Sequence, residues 1–172
     1  SAFWIISANS WMQVPSGYEV IAGGALRATD WSAVIFSPTF PVRLLHMVLA
    51  AFLTTSLVVG AASAFRLLKA PAEAESRIAL RMAIGMFALV APLQVAAGHL
   101  SGELVLEHQP LKTAAIEGWW ETRADQPLDL VGIPDRDAAE NRYGVAIPGL
   151  GNWVQGVPRG EVLSGLDGYP RE

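Results

Sequence analysis

Three side chains in this sequence have the types and settings for chemistry: His46 in FPVRLLHMVLAAF, and Lys112 and Glu117 in LKTAAIEGWWET. An imidazole about one turn inside an apolar helix is costly unless it faces protein and has a partner, and haem iron is a partner that helix-borne histidines serve. On a helix the face of His46 continues through Leu49, Ala50, Leu53 and Leu57, an apolar stripe whose small residue beside the histidine suits a flat macrocycle. A hydrogen bond to a neighbouring helix or to interfacial water accounts for the same histidine. Lys112 and Glu117 stand five residues apart, about 140° around a helix axis. From there they can meet one ligand from two sides, the lysine as donor and the carboxylate as proton acceptor, as oxidation of a quinol's two hydroxyls requires. A solvated charged helix is the better reading of that pair from the residues alone.

Other candidates are weaker. His99 and Gln94 can line a polar cavity, although two polar residues at a membrane boundary are common. Glu103 and Glu107, four apart, can bind a cation or simply form a solvated acidic turn. Trp119 and Trp120 fit anchoring at the membrane interface better than stacking on a cofactor. Met47 points about 100° away from His46 on the same helix. With no cysteine in the chain, disulfides, thiolate metal sites and thiol nucleophiles are excluded. No phosphate-binding glycine loop, nucleophile elbow or zinc motif is present.

The elements that must hold these residues are membrane spans. The chain is 52% hydrophobic and 16% charged, with a mean hydropathy of +0.34, a balance that points to a membrane protein. Leu44 to Phe65 is a run of twenty-two residues without a formal charge, and roughly 20 such residues cross a bilayer core. The reading is an all-α membrane protein: residues 1–13 end a transmembrane helix, 14–40 form an outer-side connection, and 41–68 a first full span. A cytoplasmic turn follows at 69–76, a second span at 77–100, and a long polar outer loop at 101–172. Pro41 sits in the first turn of its helix, Pro92 is expected to kink the second span, and Ala50, Thr54, Gly60 and Ala64 offer small steps for helix packing. The loop, rich in glycine and proline, is longer than an ordinary connection and reads as functional or disordered. The opening SAFWIISANSWMQ, apolar and without an initiator methionine or a basic flank, reads as part of a larger protein.

Charge sets the orientation and narrows the partners. Residues 1–100 carry six basic and four acidic side chains, and residues 101–172 six basic and twelve acidic ones. Arg66, Lys69, Arg77 and Arg81 flank the short turn, against Arg27 and Arg43 on the other side, so the positive-inside rule puts the turn in the cytoplasm and His46 near the outer face. The net charge of −4 argues against nucleic acid as a partner.

NSWMQVPSGYEV, FPVRLLHMVLAAF and KTAAIEGWWET, in this order and with a long polar loop after the third, resemble subunit I of cytochrome bd-type quinol oxidase. The likeness covers essentially all 172 residues, from the end of the family's fourth transmembrane helix into its Q-loop. It implies a fragment of a quinol:oxygen oxidoreductase of the bacterial inner membrane, with residues 101–172 on the periplasmic side. His46 would be an axial ligand of a low-spin haem b, and Lys112 and Glu117 would bind and oxidise ubiquinol or menaquinol. The complete enzyme would add a high-spin haem b, a haem d or second haem b, oxidase subunit II and the remaining helices of subunit I. Where some members carry an acidic pair, this chain has His99 and Leu100 before Ser101 and Gly102; that resembles the cyanide-insensitive branch, and no acidic role carries over there. The competing reading, from another class, is a transporter or accessory subunit in which His46, Gln94 and His99 line a polar path without a redox cofactor.

Overall fold

A computed structural model describes residues 1–170; residues 171 and 172, the last of the predicted outer loop, lie outside the described residues. The chain forms two compact units, Ser1–Ser101 and Gly102 onward.

The first unit opens with helix α1 (Ala2–Gln13), followed by a small antiparallel ribbon of β1 (Tyr18–Val20) and β2 (Leu26–Ala28). Helix α2 (Trp31–Ile35) starts where the Asp30 carboxylate accepts from the backbone N–H groups of Ser32 (2.8 Å) and Ala33 (3.2 Å), an N-cap that satisfies donors the helix leaves open. The connection is pinned to α1. Phe3, Phe36 and Phe40 meet edge to face, with Phe40 only 1% exposed. The Ser7 hydroxyl donates to the Ile35 carbonyl, and Arg43 donates to Ser10 and Asn9 of α1.

Helices α3 (Phe40–Lys69) and α4 (Ala74–His108) are the two long apolar elements. At 30 and 35 residues they reach about 45 and 52 Å at 1.5 Å per residue, longer than a ~30 Å hydrocarbon core. Pro41 does stand in the first turn of α3. Large apolar side chains such as Phe52, Leu57, Leu68, Met82, Leu89 and Val95 point outward, as spans that meet lipid or further helices require. The buried residues of α4 within this unit, Ser76, Ala83, Val90 and Ala97, fall seven apart, the repeat of a seam facing a partner helix. A Cβ on Gly60 would lie 3.5 Å from that of Ala83, so this expected small residue faces α4, whereas Thr54 is exposed. Helix α4 continues through Pro92 as one element and runs on past Leu100 to His108.

The second unit is where composition and structure part. The glycine- and proline-rich stretch is ordered, not an irregular loop. After the last turns of α4 comes α5 (Pro110–Glu117), closed by Gly118 in the left-handed conformation, φ +71°. Then follow β3 (Arg123–Ala124), a long hairpin of β4 (Leu128–Asp135) and β5 (Glu140–Ile147), α6 (Leu150–Val154) and β6 (Val162–Leu163), which returns to pair antiparallel with β3. The PDRDAAEN segment makes the hairpin turn because Asp135 accepts from the N–H groups of Asp137 and Ala138 and pairs with Arg142. The core of this unit is Ala114, Trp119 and Leu163, with Leu106, Val157 and Leu166 against it. Buried Gln126 braces it: its side-chain amide donates to the carbonyls of Glu121 and Leu163, and its backbone N–H donates to Asn152.

Trp119 overturns the expectation of a membrane anchor. It is 2% exposed, and its indole N–H donates to the Pro127 carbonyl at 2.9 Å. Trp120 is half-buried and donates to Asn141 Oδ1 at 2.9 Å. Indoles adjacent in a polar stretch read as interfacial from sequence, but here a small core needed their area and their donors.

Candidate functional site

In the first unit, α3 and α4 bring together two residues that the sequence singled out separately. His46 and Gln94 meet, with Gln94 Nε2 3.1 Å from His46 Nε2. His46 Nδ1 and Gln94 Oε1 are both buried without a hydrogen-bond partner. Reversing the amide, whose two ends are assigned from bonding pattern, exchanges which Gln94 atom meets the ring and still leaves one imidazole nitrogen unmatched. Gly98, one turn further along α4, faces the ring: a Cβ there would lie 3.3 Å from His46 Cε1. The ring therefore occupies a slot that a larger residue would narrow. His99 is exposed, and Met47 is 51% exposed.

A half-buried imidazole with an unmatched nitrogen offers one donor to a metal or to a polar partner. It is a single donor. Among the described residues no three His, Cys, Asp or Glu side chains group to hold a metal ion, and Glu103 and Glu107 belong to no such group.

In the second unit α5 separates Lys112 from Glu117 in environment. Lys112 is exposed, while Glu117, in the last turn, is half-buried. Gln155, at the end of α6 and 6% exposed, donates its side-chain amide to Glu117 Oε1 at 2.9 Å. Burial, opposed by the Gln155 hydrogen bond and aided by the like charge of Asp129, raises the Glu117 carboxyl above its ordinary value. The fold thus raises the proton affinity of this carboxyl. The stabilisation from that proton is present below the unfolded pKa and is lost as pH rises through the folded one. Thr113, one turn back on α5, is 4% exposed with an unpartnered hydroxyl, and Gln155 Oε1 is likewise unpartnered. A half-buried carboxyl with a raised pKa beside unsatisfied polar groups is equipped to take up and release a proton.

Sequence reasoning missed Gln155, Asp129 and Asn141. Asn141 donates to the Gly118 carbonyl and to Asp129 Oδ2, at 3.0 and 2.8 Å, while accepting from Trp120, so it ties the end of α5 to the hairpin. Gln155 lies 38 residues from Glu117; no local spacing announces such a pair. Gly98, in contrast, carried a readable signal, since it is one helical turn from Gln94 on the same face.

Across residues 1–172 the chain matches the family described as cytochrome bd terminal oxidase subunit I. It is 35% identical over 157 residues to the cytochrome bd-II ubiquinol oxidase subunit 1 of Escherichia coli (strain K12), covering 87% of this chain and 30% of that protein. It is 28% identical to the putative cytochrome bd menaquinol oxidase subunit I of Bacillus subtilis (strain 168), covering 100% of this chain and 40% of that one. Its fold matches the bd oxidase structure from Geobacillus thermodenitrificans with a TM-score of 0.87 at 30% identity, over 99% of this chain and 39% of that chain. The chain thus spans 30% to 40% of the length of these curated relatives.

Proposed function

The chain belongs to the cytochrome bd terminal oxidase subunit I family, and we propose that it supplies the quinol-oxidising loop of that subunit and one axial ligand of its electron-accepting haem. The observation that carries this reading is the half-buried Glu117, its proton affinity raised and its carboxylate held by Gln155, on an ordered unit that follows a membrane-spanning helix. Quinol oxidation releases two protons and two electrons, and a carboxylate whose proton affinity burial has raised is suited to the first task. Exposed Lys112 offers a cation for a quinol oxygen or for the anion left after deprotonation. Relatives are named for ubiquinol and for menaquinol, and either is a fitting substrate.

His46 fits the haem role. Haem needs only axial donors from protein, and His46 presents an imidazole on an apolar helix beside a glycine that leaves the ring room. A bound b haem accepts electrons one at a time. His46 would hold it through Nε2, the ring nitrogen that otherwise meets Gln94. The second axial ligand, the oxygen-reducing haems and subunit II belong to the complete enzyme. The proposed setting is the bacterial inner membrane, with the loop on the periplasmic side because the basic residues cluster at the α3–α4 turn. Membership of a quinol oxidase family sets aside the transporter reading.

The test is Glu117→Gln in the complete oxidase. Quinol oxidation is expected to fall by about 100-fold, the usual scale for losing a general base, while the dithionite-reduced haem spectrum stays unchanged. Full turnover with ubiquinol and menaquinol alike would sink the loop assignment. A second expectation concerns the helix pair. Gly98→Leu would force the His46 ring aside at a strain of about 1–3 kcal/mol, read as a smaller low-spin b signal at equal protein content; an unchanged signal would mean that the ring does not need the slot.

A further inference from the structure

We propose that Gln155 is a positioning residue for proton transfer: its amide holds the Glu117 carboxyl in both protonation states and so sets the pH range over which the loop works. This rests on the reading of Glu117 as the quinol's proton acceptor. Five observations support it. Gln155 is buried, donates to Glu117 Oε1 at 2.9 Å, and keeps its own Oε1 without a partner. Its Oε1 faces the backbone of α4 at Gly102, where a Cβ would lie 3.6 Å away. The next residue, Gly156, has φ +70°, and a Cβ there would run into the Glu103 carboxylate, so the chain at this point is shaped to hold the amide in place.

The chemistry requires an amide and not merely a donor. With Glu117 ionised, the amide N–H donates to the carboxylate. When Glu117 takes the quinol's proton it becomes an O–H donor, and a half-turn of the amide brings Oε1 to accept from it. A lysine would lock the anion, and an apolar residue would favour the neutral acid. Asp129 from β4 is the like charge that raises the proton affinity of Glu117; Glu103 of α4 lies beside Gly156, and Lys112 stands on Glu117's own helix.

The experiment is the pH profile of quinol oxidation by the complete oxidase carrying Gln155→Met, which keeps length and removes the donor. The acid limb is expected to move up by about one pH unit, the scale of one lost hydrogen bond to a carboxylate, with the low-spin b spectrum unchanged. Asp129→Asn, which removes the like charge, is expected to move the limb the other way. An acid limb that stays in place in Gln155→Met overturns the proposal. If the methionine variant lacks a protease-resistant loop, Gln155→Glu, of equal length, is read instead: sharing one proton between two carboxyls also moves the limb up. A loop lost in both variants assigns Gln155 to folding alone and overturns the proposal as well. The Glu117→Gln result separates the two levels: a fully active Glu117→Gln enzyme defeats the underlying reading, whereas an inactive one with an unmoved Gln155→Met profile defeats only the positioning role.

Discussion

Replacing His46 with alanine in the complete oxidase is expected to remove the low-spin b-type bands from the reduced-minus-oxidised spectrum of its membranes and to abolish quinol oxidation. The methyl group offers iron nothing. What remains nearby is the Gln94 amide, 3.1 Å from the ring nitrogen it would lose, and an amide is a weak iron donor compared with imidazole. Bands from haems held elsewhere in the enzyme should survive, which separates loss of one ligand from loss of the whole complex. Gln94→Leu supplies the contrast. If His46 exists to satisfy Gln94, removing Gln94 should leave an equally defective protein; if the histidine holds haem, the bands should persist without the amide. An unchanged spectrum in His46→Ala would make the histidine a packing residue with a hydrogen-bonded neighbour.

Much of the helical part was legible because lipid imposes a simple rule. A run from Leu44 to Phe65 without a charge reads as a span, and α3 contains it whole. His46 stood out for the same reason: a titratable residue in an apolar run is conspicuous, and it lies half-buried against Gln94. The loop was far less legible. Its core is three buried apolar residues, Ala114, Trp119 and Leu163, drawn from positions as far apart as β6 and α5, so no hydrophobic period marks it. Much of its order comes instead from buried amides. Gln126, Asn141 and Asn152 bond to backbone carbonyls or N–H groups across long sequence separations, and in the sequence they look like ordinary loop polar residues. The same difficulty hid the partner of Glu117. The glutamate was visible as a charge at helical spacing, but the buried Gln155 that modulates it arrives from a different element.

Trp119→Ala is expected to unfold the second unit while sparing the membrane helices. The indole is 2% exposed and packs with Ala114 and Leu163, and truncating a buried aromatic of this kind costs about 3–5 kcal/mol. Against a whole-domain stability of roughly 5–15 kcal/mol, a unit with so few buried apolar residues has little in reserve. The substitution also leaves the Pro127 carbonyl without its 2.9 Å donor, at the head of the hairpin that carries Asp129. Limited proteolysis of the complete oxidase should then cut within residues 120–160, and quinol oxidation should be lost, while the low-spin b bands remain. Trp153→Ala, at an indole that is 73% exposed, should leave protease resistance intact. Trp119→Phe distinguishes area from donor: it restores most of the packing but not the N–H, so protease resistance should return in part. If Trp119→Ala were as resistant as the parent and only its membrane affinity fell, the indole would be acting at the lipid interface, as the sequence alone suggested, and the loop's core would have to lie elsewhere.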